Sequence, residues 1–200
     1  AQLNLSLVRQ DVETYRLYAL RLLPFERPDL AVPSRVLLND DLGRGELQAP
    51  RQRYEQNYPE LLQPDVVVGF NYATAVDVAM LLRAEGDDAG ARRLLARSLD
   101  YMRSLGPGHV IDFGVHEARA LAMLGETDAA LAALQRAIES GWRFQWTYFM
   151  RLDHALDAVR KEPRFMQQLS FLEAEASANL ARVRELEAEG KIVVPQATGH

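Results

Sequence analysis

The side chains that could carry out chemistry are few and scattered. The four histidines, His109, His116, His154 and His200, form no HxxxH or HExxH pair, and the seven-residue step from His109 to His116 has no evident third ligand. The absence of cysteine removes thiolate nucleophiles, disulfides, Cys-based zinc sites and cysteine-ligated iron–sulfur clusters. No phosphate-binding GxxxxGK[ST], GxGxxG or GxSxG run occurs. Asp153-His154 suggests two members of a triad, but no suitably spaced serine accompanies them, and Asp153 reads more simply as a helix cap ahead of Leu156. Asp40-Asp41 and Asp87-Asp88 pair carboxylates in sequence, and each pair falls where a turn is expected, so capping is their expected role. No catalytic residue, metal or cofactor is therefore expected, and the chain is read as a non-enzyme.

The elements around these residues are more legible. The chain has 200 residues, is 48% apolar and 26% charged, and carries a net charge of -5, which suits one domain or a short repeat array with a real core. That charge balance offers no footprint for nucleic acid, and no window is apolar enough to span a membrane. The chain opens at Ala1 with neither an initiator Met nor a signal-peptide pattern, which suggests a processed protein or an excised domain, bacterial cytoplasm and periplasm both remaining open. Six prolines lie between Pro24 and Pro64, whereas 65–106, 108–162 and 164–194 contain none, so the long helices are expected after residue 65. Val66-Val67-Val68 and Ile192-Val193-Val194 are the only β-branched runs, and neither alternates as a strand would. Apolar spacing and turn residues predict helices at about 5–23, 33–43, 47–62, 69–85, 88–105, 110–124 and 127–140. Pro33 and Pro50 fall in first turns, and Pro59 kinks or ends the third.

Two of these hairpins repeat. Aligning the turn glycines Gly86 and Gly125 places Ala79 over Ala118, Leu82 over Leu121, Ala91 over Ala130, Leu95 over Leu134 and Ser98 over Ala137. The segments Val78–Ala91 and Glu117–Ala130 resemble tetratricopeptide repeats. The family's small helix-A residue is matched by Ala79 and Ala118, its turn by Gly86-Asp87 and Gly125-Glu126, and its helix-B alanines by Ala91, Ala130 and Ala137. The closing proline is absent, and the period exceeds the family's 34 residues, which implies a lengthened helix over 88–105. A decayed third copy falls at 32–62, with Tyr54 as its helix-B aromatic and Pro50 on the alanine position. Tyr54–Leu62, Ala137–Trp142 and Leu156–Phe165 also resemble the C-terminal repeat regions of large bacterial multidomain proteins, membrane-tethered winged-helix regulators and signalling cyclases. That resemblance implies a DNA-binding or catalytic domain upstream.

The resemblance implies an all-α, right-handed α-solenoid of helix-turn-helix hairpins. Its parts are degenerate helices over 1–65, two repeats over 66–141, an aromatic-rich plug over 142–162, a long C-terminal capping helix over 163–190 and a loose tail over 191–200. The helix-A faces of such a stack line a groove. Asp77, Met80, Arg83, Asp112, His116 and Arg119 are the groove candidates for a peptide or protein partner, with Ala84, Val115 and Met123 beside them. Their alternative is a solvated or internally ion-paired face. Family members that grip a chaperone's C-terminal carboxylate use Lys and Asn where this chain has Val76, Met80, Val115 and Arg119, which disfavours that mode. The run from Trp142 to Phe149 holds five aromatics in eight residues, either buried as an end plug or used as a ledge through Trp142 and Trp146. Over 163–190 the residues Phe165, Leu169, Leu172, Ala176, Asn179, Val183 and Leu186 alternate steps of four and three, the seam of a cap or of a homodimeric coiled coil in which Asn179 sets register. The function implied is a non-catalytic interaction or sensory module. The alternatives are homodimerisation through 163–190, or an accessory repeat domain of a larger enzyme.

Overall fold

The computed structural model describes residues 12–26, 31–106 and 114–192. These residues hold nine α-helices and no strand: α1 Val12–Leu22, α2 Val32–Gly43, α3 Gln48–Asn57, α4 Tyr72–Ala84, α5 Asp88–Ser104, α6 Val115–Leu124, α7 Thr127–Glu139, α8 Trp146–Leu152 and α9 Pro163–Ala188. Short 3-10 turns follow at Leu23–Phe25, Pro59–Leu62 and His154–Leu156. The helices expected at 33–43, 69–85, 88–105 and 127–140 agree with these to within three residues at each end, whereas the one expected at 110–124 begins at Val115, residues 107–113 lying outside the described residues. Over 47–62, α3 ends at Asn57 and a 3-10 turn opens on Pro59, because proline donates no N–H and its ring blocks helical continuation. Val66–Val68 form a loop. The first eleven residues, Asp112 and the 193–200 tail lie outside the described residues.

Each hairpin is set by its turn. Gly86 and Gly125 adopt φ of 90° and 83°, a left-handed conformation that glycine takes without strain and that reverses the chain in two residues. Asp87 then caps α5 by accepting the Gly90 amide at 2.8 Å. In α5, Ala91, Leu94, Leu95, Ser98, Leu99 and Met102 recur at steps of one, three and four and are buried. They pack on α4, and Ser98 donates to the Tyr72 carbonyl at 2.9 Å, which satisfies a hydroxyl that burial would otherwise penalise. α6 and α7 form the same kind of hairpin, burying Ala118, Leu121, Ala130, Leu134 and Ala137. Small residues at these positions let helix axes approach, and leucines fill the space between.

The hairpins also meet each other. α2, α4 and α6 are consecutive neighbours, and α5 contacts α6. From α4, every residue from Tyr72 to Leu81 is buried, because this helix has a neighbour on each side. The chain beyond α7 turns back over the face shared by α2, α4 and α6. There the 3-10 turn His154–Leu156 packs on α4 and α6, while α9 starts against α7.

Candidate functional site

Four charged side chains from three helices and a loop meet inside the molecule: Arg35 on α2, Asp77 on α4, Arg119 on α6 and Asp153 after α8. The side chains of Asp77, Arg119 and Asp153 have no exposed surface at all. The Arg35 Nε donates to both Asp77 oxygens, at 3.1 and 3.0 Å. An Nη of Arg119 donates to Asp77 Oδ1 at 2.5 Å, and its Nε lies 2.6 Å from Asp153 Oδ2. The other Nη of Arg119 is 2.8 Å from His116 Nδ1. Arginine only donates, so Nδ1 is the acceptor and the ring proton sits on Nε2. Both guanidinium carbons lie over the Phe149 ring, 5.8 Å and 5.7 Å from its centroid for Arg35 and Arg119.

The electrostatics follow from burial. Two cations and two anions make the cluster neutral, the only condition under which four charges stay ionised out of water without a large penalty. Burial, reinforced by the Arg35 and Arg119 charges, holds His116 well below its ordinary range and therefore neutral. Burial alone would lower the Arg119 pKa, but Asp153 and Asp77 outweigh it and hold the guanidinium above its ordinary range. Burial likewise raises the Tyr148 phenol well above its usual value. The Tyr148 hydroxyl meets the Asn39 amide nitrogen at 2.6 Å and the Arg35 carbonyl at 3.3 Å. Asn39 Oδ1 in turn accepts the His154 amide at 2.7 Å. The segment after α7 is thereby tied to α2, more than a hundred residues earlier.

These positions are therefore not an open groove. Asp77, Met80, His116 and Arg119 come together as expected but are buried, because Tyr148, Phe149, Met150, Ala155 and Leu156 cover the face that a partner would have used. Of the two readings drawn from the sequence, the internal ion-paired one describes them. Among the described groove candidates Arg83 stays partly exposed, and Ala84 beside it is exposed. Arg83 reaches the Met123 carbonyl at 2.5 Å and Asp88 at 3.5 Å. Of the ledge candidates, Trp142 is buried edge-on to Phe149 and Trp146 is partly buried against the core, while Phe144 between them stands 60% exposed, so the aromatic run is buried in part.

No family model, curated protein or solved structure matches the chain.

Other sequence candidates fall as follows. Asp153 does cap, accepting the Ala155 amide at 3.0 Å, but its second oxygen serves Arg119. His154 is on the surface, 2.8 Å from Asp157. Asp40 and Asp41 lie within the last turn of α2, not beyond it. They are buried ion-pair partners, Asp41 standing 2.7 Å from Arg16 and 3.0 Å from Arg53. Among the described residues no group of three or more His, Asp or Glu is arranged to hold a metal, and no helix is long and apolar enough to cross a membrane. Arg35 and Asp153 were missed as members of the cluster. The signal was available as alternating charge: Arg35, Asp77 and Arg119 are each 42 residues apart, one per hairpin.

Exposed apolar side chains occur at several places among the described residues, including Leu17 and Leu20 on α1 and Leu180 and Val183 on the second half of α9. In α9, Phe165, Gln168 and Leu172 are buried against α7, and Gln168 donates to the Leu131 carbonyl at 3.0 Å. Every residue from Ala176 to Glu185 is exposed. Leu180 and Val183 stand 51% and 39% exposed on the same face as Ala176 and Leu186. The long helix is thus a cap over its first three turns and a free arm beyond them.

Proposed function

We propose that the chain is a non-catalytic interaction or regulatory module, a right-handed α-solenoid of tetratricopeptide-like hairpins that offers its partner the free arm of α9. The observation that carries this reading is the exposure of Leu180 and Val183 on a helix held rigid at one end. The covered face of α2, α4 and α6 is the weaker candidate on energetic grounds. Opening it would uncover Trp142, Tyr148, Phe149, Met150, Leu156 and Val159, all buried in the core. At roughly 1.5 to 3 kcal/mol per large apolar side chain that is on the order of 10 kcal/mol, as much as the whole stability of a typical domain. A peptide seldom supplies that surplus.

The paired ionisable groups support the same reading. A general acid or base must reach substrate, and Arg35, Asp77, His116, Arg119 and Asp153 are all enclosed and in contact with one another. They act as a lock between hairpins. The test is capture of a partner by immobilised chain, comparing the native sequence with Leu180→Glu, Val183→Glu and Arg83→Glu. Loss with the α9 variants and retention with Arg83→Glu is the expected pattern. The reverse pattern, at unchanged circular dichroism, would return the binding surface to the helix-A side.

A further inference from the structure

We infer that the cleft between α7 and the first half of α9 is a binding site for a short, uncharged stretch of extended peptide, separate from the free arm. The cleft has a volume of about 540 Å³, within the ~300–1,000 Å³ usual for ligand sites. Its α9 wall runs from Arg164 to Phe171, about 10 Å of helix, which is roughly the length of three extended residues.

The first ground is an amide that the fold leaves half used. Gln168 is 6% exposed and forms part of the cleft wall. Its Nε2 donates to the Leu131 carbonyl at 3.0 Å and to Gln135 Oε1 at 3.2 Å, both on α7. Its own Oε1 is buried and accepts no hydrogen bond among the described residues. Turning the amide over does not help, because Oε1 would then face the Leu131 carbonyl, acceptor against acceptor. A buried carbonyl oxygen without a donor is costly, and a ligand N–H in the cleft supplies one. Gln135 and Gln167 on either side are exposed, so they can swing aside to admit it.

The second ground is charge. Arg143, in the loop after α7, pairs with Glu175 and donates to the Ile138 and Trp142 carbonyls. Arg164 pairs with Asp128 at 2.9 Å, and Glu139 accepts from Gln135 at 2.8 Å. The cleft thus has no excess of positive charge for an anion, and an ion brought into it would lose water without a fresh counter-charge. Its remaining surface is apolar. Ile138 is buried in the wall, and Phe171 is half-exposed with the pinned Arg143 guanidinium 5.7 Å from its ring centroid.

The third ground is the match between these groups and a peptide chain. Each peptide unit carries one N–H and one C=O, which meet the Gln168 oxygen and the Gln167 amide N–H groups. In an extended strand alternate side chains point to opposite sides, so one apolar side chain can rest on Ile138 and Phe171 while its neighbours face water. Three residues offer few atoms for contact, so the dissociation constant is on the order of 0.1 mM.

Titrating N-acetyl-Ala-Leu-Ala amide into the full chain, followed through the glutamine side-chain amide signals by NMR, tests the site. Saturable shifts at Gln135, Gln167 and Gln168 are expected, and none at about 10 mM overturns the inference. In three analogues a single backbone N–H is replaced by an ester oxygen. One of them should bind at least about tenfold more weakly, and Gln168→Met should erase that difference. Phe171→Glu, at an exposed position, should weaken binding about tenfold at unchanged circular dichroism. Equal binding of all three esters overturns the assignment, as does binding that ignores both substitutions. Tighter binding of the peptide with Lys in place of Leu would make this a cation site around Glu139 and sink the uncharged ligand. Acetanilide, an amide with an apolar body and no peptide chain, should bind more weakly, and equal affinity sinks the peptide. Leu180→Glu should leave the titration unchanged. Loss of binding there would place the peptide on the free arm and remove the cleft as its site.

Discussion

Replacing Asp153 with Asn removes one charge from the interior while keeping the side chain's shape. The Asn Oδ1 can still accept the Ala155 amide, so the 3-10 turn keeps its cap and the perturbation is electrostatic. What remains is two guanidinium groups, Arg35 and Arg119, around one carboxylate, Asp77, with the Arg119 side chain fully out of water. Breaking a buried pair from one side costs about 3–5 kcal/mol, because the surviving charge can neither reach water nor deprotonate. Urea unfolding followed by circular dichroism reads this directly. With a slope of about 2 kcal/mol per molar, the midpoint should fall by roughly 2 M at unchanged slope. Arg119→Met should cost a similar amount by stranding Asp153. The double variant restores neutrality through the Arg35 pair with Asp77, so its loss should fall short of the sum of the singles by about 2–3 kcal/mol. A loss below about 1 kcal/mol for Asp153→Asn, or strict additivity in the cycle, would refute the account of a charge-balanced lock.

Three further outcomes follow from the same geometry. His116 is held neutral in the folded state, so below pH ~6.5 the unfolded chain takes up a proton that the folded chain refuses. Stability should therefore fall as pH falls, by up to about 1.4 kcal/mol per unit until the depressed folded value is reached. His116→Asn should flatten that part of the pH profile relative to the native chain. At Gly86 and Gly125 nothing stands within 4 Å of an added Cβ, yet φ is left-handed, so Gly→Ala at either turn should cost about 1 kcal/mol through backbone strain alone, visible as a thermal-midpoint shift. Trp142→Ala should cost about 3–5 kcal/mol, measured by urea unfolding, because the indole is fully buried against Phe149. A loss under 1 kcal/mol would instead make the 142–149 run a surface ledge.

Much of the local structure was legible because local rules decide it. Gly86 and Gly125 close hairpins by a conformation that only glycine takes freely, Asp87 caps because its carboxylate reaches Gly90, and Pro59 stops α3 for want of an N–H. Seam spacing in α9 was equally visible. A seam does not state how far the body extends, however: the capping reading describes its first half, where Phe165 and Leu172 are buried, and the residues from Ala176 to Glu185 are exposed.

What the linear chain determined by itself is the all-helical character and the hairpin spacing, since both depend on residues a few positions apart. The tertiary structure decided whether a charged face meets water. Asp77, His116 and Arg119 have the composition of a binding groove, and nothing within α4 or α6 distinguishes that from a buried lock. The difference comes from Arg35, 42 residues before Asp77, and from Tyr148, Phe149 and Asp153 arriving from beyond α7. A charge is tolerated inside only when its counter-charges are already in place, and those were supplied by the path of the chain through space.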